Sequence, residues 1–278
     1  MLPAPDSGDL YFDMEGDPLA GAGLAYLFGI FGKLPDDSEA TFHLIWGHTP
    51  AEEKAAFERA MGLFIEQMRR HRGAHIYHYA GYEPAALKRL AMRYATMEAE
   101  LDQLLRERRF VDLYRVVTQA LRASTESYSL KNLEAIYWRE RAGEAKTAAD
   151  SIVEYERWCI SKDPAILESI AAYNKDDCVS TAQLHKWIES LRPAGARLEI
   201  VDESAPEKRD RSAERAELEA RKQHVAATVH AASHGDARVR NLVAELLWFH
   251  QRSQKPGWWA VFERQAWSEE ELISVDAS

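Results

Sequence analysis

Two acidic residues stand inside an otherwise apolar segment near the start of this 278-residue chain. The segment reads LYFDME over residues 10–15, and its aromatic and aliphatic side chains are typical of a buried strand. Side chains two apart on a strand leave the same face, so Asp13 and Glu15 are expected to point together. Paired carboxylates repel unless a cation lies between them, which favours a metal site. The alternative is a strand end with exposed acids, because Gly16-Asp17-Pro18 follows at once.

Three segments rich in aromatic and branched side chains open the chain, and glycine and proline residues separate them. They cover residues 9–15, 24–34 and 40–47. Such segments with turn signals between them predict three strands joined by short connections. A helix is predicted next, because Thr49 can cap it, Pro50 suits its first turn, and apolar residues recur at helical spacing from Phe57 to Met68.

Strand and helix patterns then alternate. A short strand is predicted over residues 75–79, a second helix from Pro84, and mostly helical structure from Phe110 to a last helix over residues 166–191. Three closely connected strands followed by helix, strand and helices is the element order of a ribonuclease H-like fold. We therefore predict an α/β domain with a mixed sheet flanked by helices, followed by a helical C-terminal appendage.

The composition changes after residue 192. Residues 202–222 are dense in both charge signs and almost free of large apolar side chains, which predicts a flexible linker or an exposed helix. Residues 239–251 regain helical spacing, and a turn is predicted at residues 255–257. The predicted organisation is one folded domain, a charged connecting segment and a helical segment containing tryptophan, over residues 1–192, 193–236 and 237–278.

Charge and composition exclude some classes of protein. The formal net charge of −10 argues against a protein that coats nucleic acid through many Lys and Arg contacts. It does not argue against a nuclease, whose acidic site is neutralised by cations. No apolar run approaches the roughly 20 residues of a membrane helix, no secretory signal is visible, and Cys159 and Cys178 lack zinc-type spacing. A cytoplasmic location is therefore expected.

Further candidate residues stand where later elements begin or end. Glu83 follows the strand predicted at residues 75–79, a usual place for a catalytic carboxylate and equally for an acid at a helix N-terminus. Tyr173 and Asp177 are four apart on a predicted helix, so a phenol and a carboxylate share one face. That pair could hold a metal and orient water, or could be a half-buried Tyr and a surface Asp. Asp112, embedded in apolar residues, is a further candidate.

In this order the motifs resemble those of a known family. Asp-x-Glu on an early strand, an acid after a later strand and Tyr-x-x-x-Asp on a late helix are similar to the DEDDy branch of the 3′–5′ exonucleases. The resemblance is closest to the ribonuclease H-like domain of bacterial RecB-like nuclease and helicase fusion proteins. It is carried by GDLYFDMEGDP at residues 8–18 and YSLKNLE at residues 128–134. It covers residues 5–190, and residues 248–262 are also similar to that family.

The resemblance implies a site and an activity. Asp13, Glu15, Glu83 and Asp177 would hold two Mg²⁺ or Mn²⁺ ions, and Tyr173 would orient the attacking water. The wider exonuclease family usually has Asp at the position of Glu83, so this chain departs from the pattern there. The implied activity is cleavage of single-stranded DNA or RNA from a 3′ end, with a helicase region or helicase as partner. An endonuclease of the same fold, and a non-catalytic module that binds nucleic acid or docks a helicase, are the alternatives.

Other residues receive narrower expectations. Lys131 and Arg115 are candidate contacts for substrate phosphates. Trp258 and Trp259 either stack nucleic-acid bases or, as is more common beside an amphipathic helix, pack in a core or an interface. Cys178 adjoins Asp177 and is expected to be a small packing residue rather than a nucleophile.

Overall fold

A computed structural model of the chain describes residues 2–21, 23–138, 148–193, 212–232, 235–264 and 267. The chain divides into two units, residues 1–200 and 201–278, and each is described here by itself. The three-part organisation predicted from composition places its first boundary at residue 192, and residues 194–211, which include the start of the predicted charged segment, lie outside the described residues. That division of the chain stays a prediction.

A five-stranded sheet forms the centre of the first unit. Its strands are β1 (Leu10–Asp17), β2 (Leu24–Gly32), β3 (Thr41–Trp46), β4 (Ile76–His78) and β5 (Phe110–Asp112). They lie in the order β3-β2-β1-β4-β5, with β1, β2 and β3 antiparallel in sequence and with β4 and β5 parallel to β1. This arrangement confirms the predicted mixed sheet. The strand β5 was not predicted, because three residues are too few to show a strand period.

Seven helices of the first unit accompany the sheet within the described residues. They are α1 (Pro50–Arg70), α2 (Tyr82–Tyr94), α3 (Glu98–Arg106), α4 (Leu113–Ala120), α5 (Leu130–Tyr137), α6 (Ala148–Ser161) and α7 (Pro164–Ser190). The predicted cap of α1 is present, since the Thr49 side chain accepts a hydrogen bond from the Glu52 amide. The helix α2 begins two residues before Pro84, because a proline is tolerated anywhere in the first turn, where N–H groups lack helical partners.

The helices α1 and α7 cover opposite faces of the sheet. Phe12 of β1 contacts Phe64 of α1 edge to face, with ring centroids 5.0 Å apart. Its neighbour Tyr11 points the other way and bonds Nδ1 of His185 in α7 through its hydroxyl, at 3.0 Å. Because side chains alternate along a strand, residues 13 and 15 share the face of Tyr11. The acids of β1 therefore lie on the face covered by α7.

The second unit contains α8 (Ser212–Ala231), α9 (Ala237–Leu246) and α10 (Phe249–Arg264). The turn predicted at residues 255–257 is wrong, because α10 continues through it with Pro256 inside the helix. A proline removes one backbone hydrogen bond and kinks a helix without always ending it. Trp259 is buried, whereas Trp258 is 55% exposed and stacks on Phe262. Within the part of the chain that is described, no helix has the length and apolar character needed to cross a membrane.

Candidate functional site

Asp13 and Glu15 lie close to the carboxyl end of β1, on the face that α7 covers. Glu15 is buried, with 6% of its surface exposed, and Asp13 is half-buried. A register shift between Glu15 and Gly16 interrupts the pairing of β1 with β2 directly after the second acid. Irregular pairing of this kind redirects side chains at a sheet edge and is common beside functional sites.

Asn174 of α7 lies against both acids and has no exposed surface. Its Nδ2 donates a hydrogen bond of 2.6 Å to Oδ2 of Asp13, and its side chain also hydrogen-bonds Glu15. Gly29, the residue opposite Asp13 on β2, provides the space for this amide. A Cβ at position 29 would lie only 1.7 Å from Oδ1 of Asn174. The close approach of α7 to the sheet therefore depends on a glycine at that position.

The side chain of Glu83, in the first turn of α2, lies against Asp13. It is 3% exposed, and its carboxyl group hydrogen-bonds that of Asp13. Its Oε2 has no hydrogen-bond partner among the described residues, although Nδ1 of buried His78 lies 3.5 Å away. Burial by itself lowers the pKa of His78, but Glu83 and Asp112 outweigh that effect and raise it. Glu83 is thus a buried acid whose oxygens are incompletely satisfied.

Asp112 has a structural role beside this group. Its Oδ1 accepts hydrogen bonds from the backbone N–H groups of Tyr114 and Arg115 and so caps α4. The same oxygen accepts the N–H of Ala80 at 2.9 Å. Ala80 has φ +71°, which an alanine adopts only where its surroundings enforce it. Asp112 therefore helps to hold the loop that delivers Glu83.

Three other acids act on Asp13 in this part of the sheet, and we call Asp13, Glu15, Glu83 and Asp177 the carboxylate cluster. Burial raises the pKa of Asp13 well above its usual range. The negative charges of Asp177, Glu15 and Glu83 raise it further, as does the hydrogen bond with Glu83. Like charges held together disfavour ionisation of at least one of them. Ionisation of Asp13 is therefore disfavoured when no cation is bound.

The same balance governs Glu15. Its pKa is raised to about 7, chiefly by burial and further by the charge of Asp177, while hydrogen bonds from Ser151 and Asn174 and the ammonium of Lys131 act in the opposite direction. Ser151 belongs to α6 and is also bonded to the Tyr26 hydroxyl at 2.8 Å. Glu15 is therefore tied to α6 as well as to α7.

Tyr173 and Asp177 lie one turn apart on α7, and both are half-buried. The ammonium of Lys131, in the first turn of α5, donates a hydrogen bond of 2.8 Å to the Tyr173 hydroxyl. It also lies 4.6 Å from the centre of the ring. Lys131, expected from the sequence to be a phosphate contact, thus holds the phenol next to Asp177 in this structure.

The carboxylate cluster does not form a complete set of metal ligands in this structure. Among the described residues, no group of three or more His, Cys, Asp or Glu side chains has the geometry to hold a metal ion. The amide of Asn174 and the hydrogen bond between Asp13 and Glu83 occupy oxygens that a cation would need. The donor chemistry nevertheless fits a hard divalent cation, because it consists of carboxylate oxygens, and within the described part of the chain Oε2 of Glu83 has only the 3.5 Å contact with His78.

Asn174 and Ser151 were not predicted from the sequence. A signal for Asn174 was present, because Ile170 and Cys178, four residues before and after it, are apolar or small and mark the buried face of the helix. Cys178 has the expected packing role, since its thiol is buried, donates to the Gly29 carbonyl, and has a pKa raised by burial. Ser151 carries no comparable local signal.

Comparison with known proteins gives a family. A family model described as the RNase H superfamily matches residues 10–189. The match begins with β1, includes all five strands and ends in the last turn of α7, so it contains the whole carboxylate cluster. No curated protein and no solved structure that was compared with the chain matches it.

Proposed function

The chain belongs to the RNase H superfamily, and from this premise we propose that it is a metal-dependent nuclease of the DEDD type. The proposed reaction is hydrolysis of phosphodiesters in single-stranded DNA or RNA from the 3′ end. The observation that carries this proposal is the gathering of Glu15, Glu83 and Asp177 around Asp13, whose pKa burial and these three charges raise. Proteins tolerate such repulsion chiefly where function requires it.

The carboxylate cluster would hold two Mg²⁺ or Mn²⁺ ions. When bound, such ions polarise the scissile phosphate, lower the pKa of water and stabilise the departing 3′ oxygen. Because its pKa is raised, Asp13 would have to lose its proton before it could serve as a ligand, so affinity for the cation should increase with pH. The side chain of Asn174 keeps Asp13 in place while Asp13 changes its charge.

Tyr173 is proposed to orient the water that attacks the phosphate. Its hydroxyl oxygen accepts a hydrogen bond from Lys131, and its O–H is the group proposed to donate to water or to a phosphate oxygen. The ammonium thereby restricts the phenol to one orientation next to Asp177. Geometric restriction of this kind contributes to catalysis by keeping the reacting groups aligned.

A module that binds single strands or docks a helicase without cutting is the second candidate. The observation that favours it is the absence, among the described residues, of a preformed metal site. A helicase region or partner is compatible with both functions. The two candidates differ in one respect, since only the nuclease needs divalent cations bound by the carboxylate cluster.

The test combines thermal melting with an activity assay. Wild type, Asp13→Asn and the control Asp36→Asn, an exposed acid in the turn before β3, are melted in EDTA and with added Mn²⁺. Strands of DNA and RNA labelled at either end report cleavage and its polarity. We expect Mn²⁺ to raise the melting temperature of wild type and control, because it binds only the folded arrangement.

Asp13→Asn should lose both the Mn²⁺ shift and cleavage while remaining as stable as wild type in EDTA, since one repelling charge is removed. Equal Mn²⁺ shifts in all three proteins would place the metal elsewhere. No shift and no cleavage in wild type would favour the binding module. Internal fragments instead of stepwise loss from the 3′ end would identify an endonuclease.

A further inference from the structure

Tyr82 and Arg89 form a pair on α2 beside the carboxylate cluster. Tyr82 immediately precedes Glu83, and its hydroxyl hydrogen-bonds the guanidinium of Arg89. The two residues are seven apart, which places them on one face two turns from each other. Tyr82 is 43% exposed and Arg89 is exposed, so the pair lies at the surface.

The phenol of Tyr82 lies next to the end of β1. A Cβ on Gly16, the residue after Glu15, would be 2.6 Å from the Tyr82 hydroxyl oxygen. Burial of that hydroxyl raises the pKa of Tyr82, Arg89 lowers it, and Glu83 and Glu15 raise it again. Two acids of the cluster and one guanidinium therefore act on the same hydroxyl group.

Arg89 keeps its charge available for a ligand. No ion pair joins it to a carboxylate within the described residues, whereas Arg93, one turn further along α2, is paired with buried Glu53 at 3.1 Å. Its hydrogen-bond partner is a neutral phenol, which orients the guanidinium without neutralising it. A planar guanidinium at the surface is the group that binds phosphate best, since two of its N–H groups fit two phosphate oxygens.

We propose that Arg89 binds a backbone phosphate of the single strand, beside the phosphate that is cut. Tyr82 is the positioning residue that holds the guanidinium and presents a half-exposed ring on which a base can stack. Gly16 permits this arrangement, because any side chain there would displace the phenol. The inference rests on the proposed nuclease function. It identifies Arg89 and Tyr82 as the residues that would retain the strand after each cut.

The experiment measures binding and cutting separately. Anisotropy of a labelled single-stranded DNA is titrated in Ca²⁺ at several salt concentrations, and a gel confirms that the strand stays intact. The proteins are wild type, Arg89→Met, Arg89→Lys, Tyr82→Phe and the control Arg59→Met. Arg59 is an exposed arginine of α1, without an ion pair in the described part of the chain, so the control removes the same charge.

Arg89→Met should weaken binding about tenfold and reduce the slope of log K against log salt by about 0.7, the contribution of one phosphate contact on a single strand. Arg89→Lys should retain the slope and lose part of the affinity. A lysine still contacts the phosphate, but it lacks the two parallel N–H groups with which a guanidinium binds two phosphate oxygens. Tyr82→Phe should weaken binding with the slope unchanged. Arg59→Met should match wild type.

The results distinguish this inference from the nuclease proposal. Equal slopes for Arg89→Met and Arg59→Met would overturn the inference, whether or not the protein cuts. Binding that depends on Arg89 in a protein that never cuts with Mn²⁺ would support the inference and reject the nuclease. A wild type that binds no single strand would overturn the inference by itself.

Discussion

The amide Nδ2 of Asn174 lies 2.6 Å from Oδ2 of Asp13 and joins the middle of α7 to the central strand of the sheet. A neutral donor on a carboxylate fixes its orientation without cancelling its charge. The side chain of Asp13 is therefore prevented from turning away from the place where a cation would bind. This relationship makes α7 a support for the site as well as the element that carries Tyr173 and Asp177.

Replacement of Asn174 should test that support. Asn174→Ala leaves Oδ2 of Asp13 without its donor, and loss of such a supporting contact typically costs 10–100-fold in metal affinity or activity. We expect cleavage to fall by about that factor, with a lower melting temperature in EDTA because buried carboxylates lose a partner. Lys175→Ala, one residue further and exposed, is the control. Cleavage by Asn174→Ala at the control rate would show that the amide does not support the reaction.

Gly29→Ala should also displace the Asn174 amide and so lower both cleavage and stability. Its Cβ would lie 1.7 Å from Oδ1 of Asn174, a distance that real contacts do not show, so the amide has to move. We expect destabilisation of about 1–3 kcal/mol, the range for overpacked interiors. Gly62→Ala in α1 is the control, because a Cβ there meets nothing within 4 Å, and it should stabilise by roughly 0.5–1 kcal/mol.

The double variant Gly29→Ala/Asn174→Ala completes a thermodynamic cycle. If the two residues collide, removal of the Asn174 side chain should restore part of the stability that Gly29→Ala alone loses. Urea denaturation of the four proteins measures this coupling. Additive changes in the free energy of unfolding would mean that the alanine at position 29 disturbs something else, such as Phe42, whose ring carbon lies 3.0 Å from the same Cβ position.

Local patterns made part of this structure predictable. The period of two that places Asp13 and Glu15 on one face needs only the strand itself, and the cap at Thr49 needs only a few residues. The convergence of Glu83 and Asp177 on β1 depends on β4 running parallel to β1 and on α7 crossing the sheet, which are contacts between distant segments. Their grouping was expected only through the resemblance to a family.

The features that were not predicted, or were predicted wrongly, also have physical reasons. The spacing of Ile170 and Cys178 indicates that Asn174 faces inward, but nothing local indicates that a carboxylate lies opposite it. The predicted turn at residues 255–257 failed because the pair Pro256-Gly257 signals a turn only where neighbouring residues do not maintain a helix.

Tyr173→Phe should separate metal binding from catalysis. The ring and its contacts remain, so the Mn²⁺ shift of the melting temperature should persist. Cleavage should slow by about 10²–10⁴-fold, the scale of a lost proton-transfer or water-orienting group. Lys131→Met should reduce the rate of wild type but add little to Tyr173→Phe, because its proposed effect passes through the phenol. An undiminished rate for Tyr173→Phe would remove the phenol from the mechanism.

Buried titratable groups also lie at the opposite end of β1, where they affect stability rather than the proposed reaction. Asp9 accepts the backbone N–H of His75 at 2.9 Å, yet burial raises the pKa of its carboxyl to about 7. Burial has the opposite effect on His185, which bonds the Tyr11 hydroxyl and stacks on Tyr77, and lowers its pKa to about 4. Because one pKa is raised and the other is lowered, Asp9 and His185 change the stability of the folded state in opposite directions as the pH falls.

We predict that Asp9 and His185 change the stability of the wild type in opposite directions as the pH falls. Replacing one of the two residues should therefore reveal the effect of the other. Between pH 3.8 and about 7 the raised pKa of Asp9 makes the folded state bind more protons than the unfolded one, so stability increases as pH falls. Between about 4 and 6.5 the lowered pKa of His185 has the reverse sign. Relative to wild type, Asp9→Asn should therefore lose roughly 4 kcal/mol of stability on acidification and His185→Phe should gain roughly 3 kcal/mol, each across its own window at about 1.36 kcal/mol per pKa unit. Urea denaturation of the three proteins across that pH range measures the slopes, and parallel slopes would contradict the assignment.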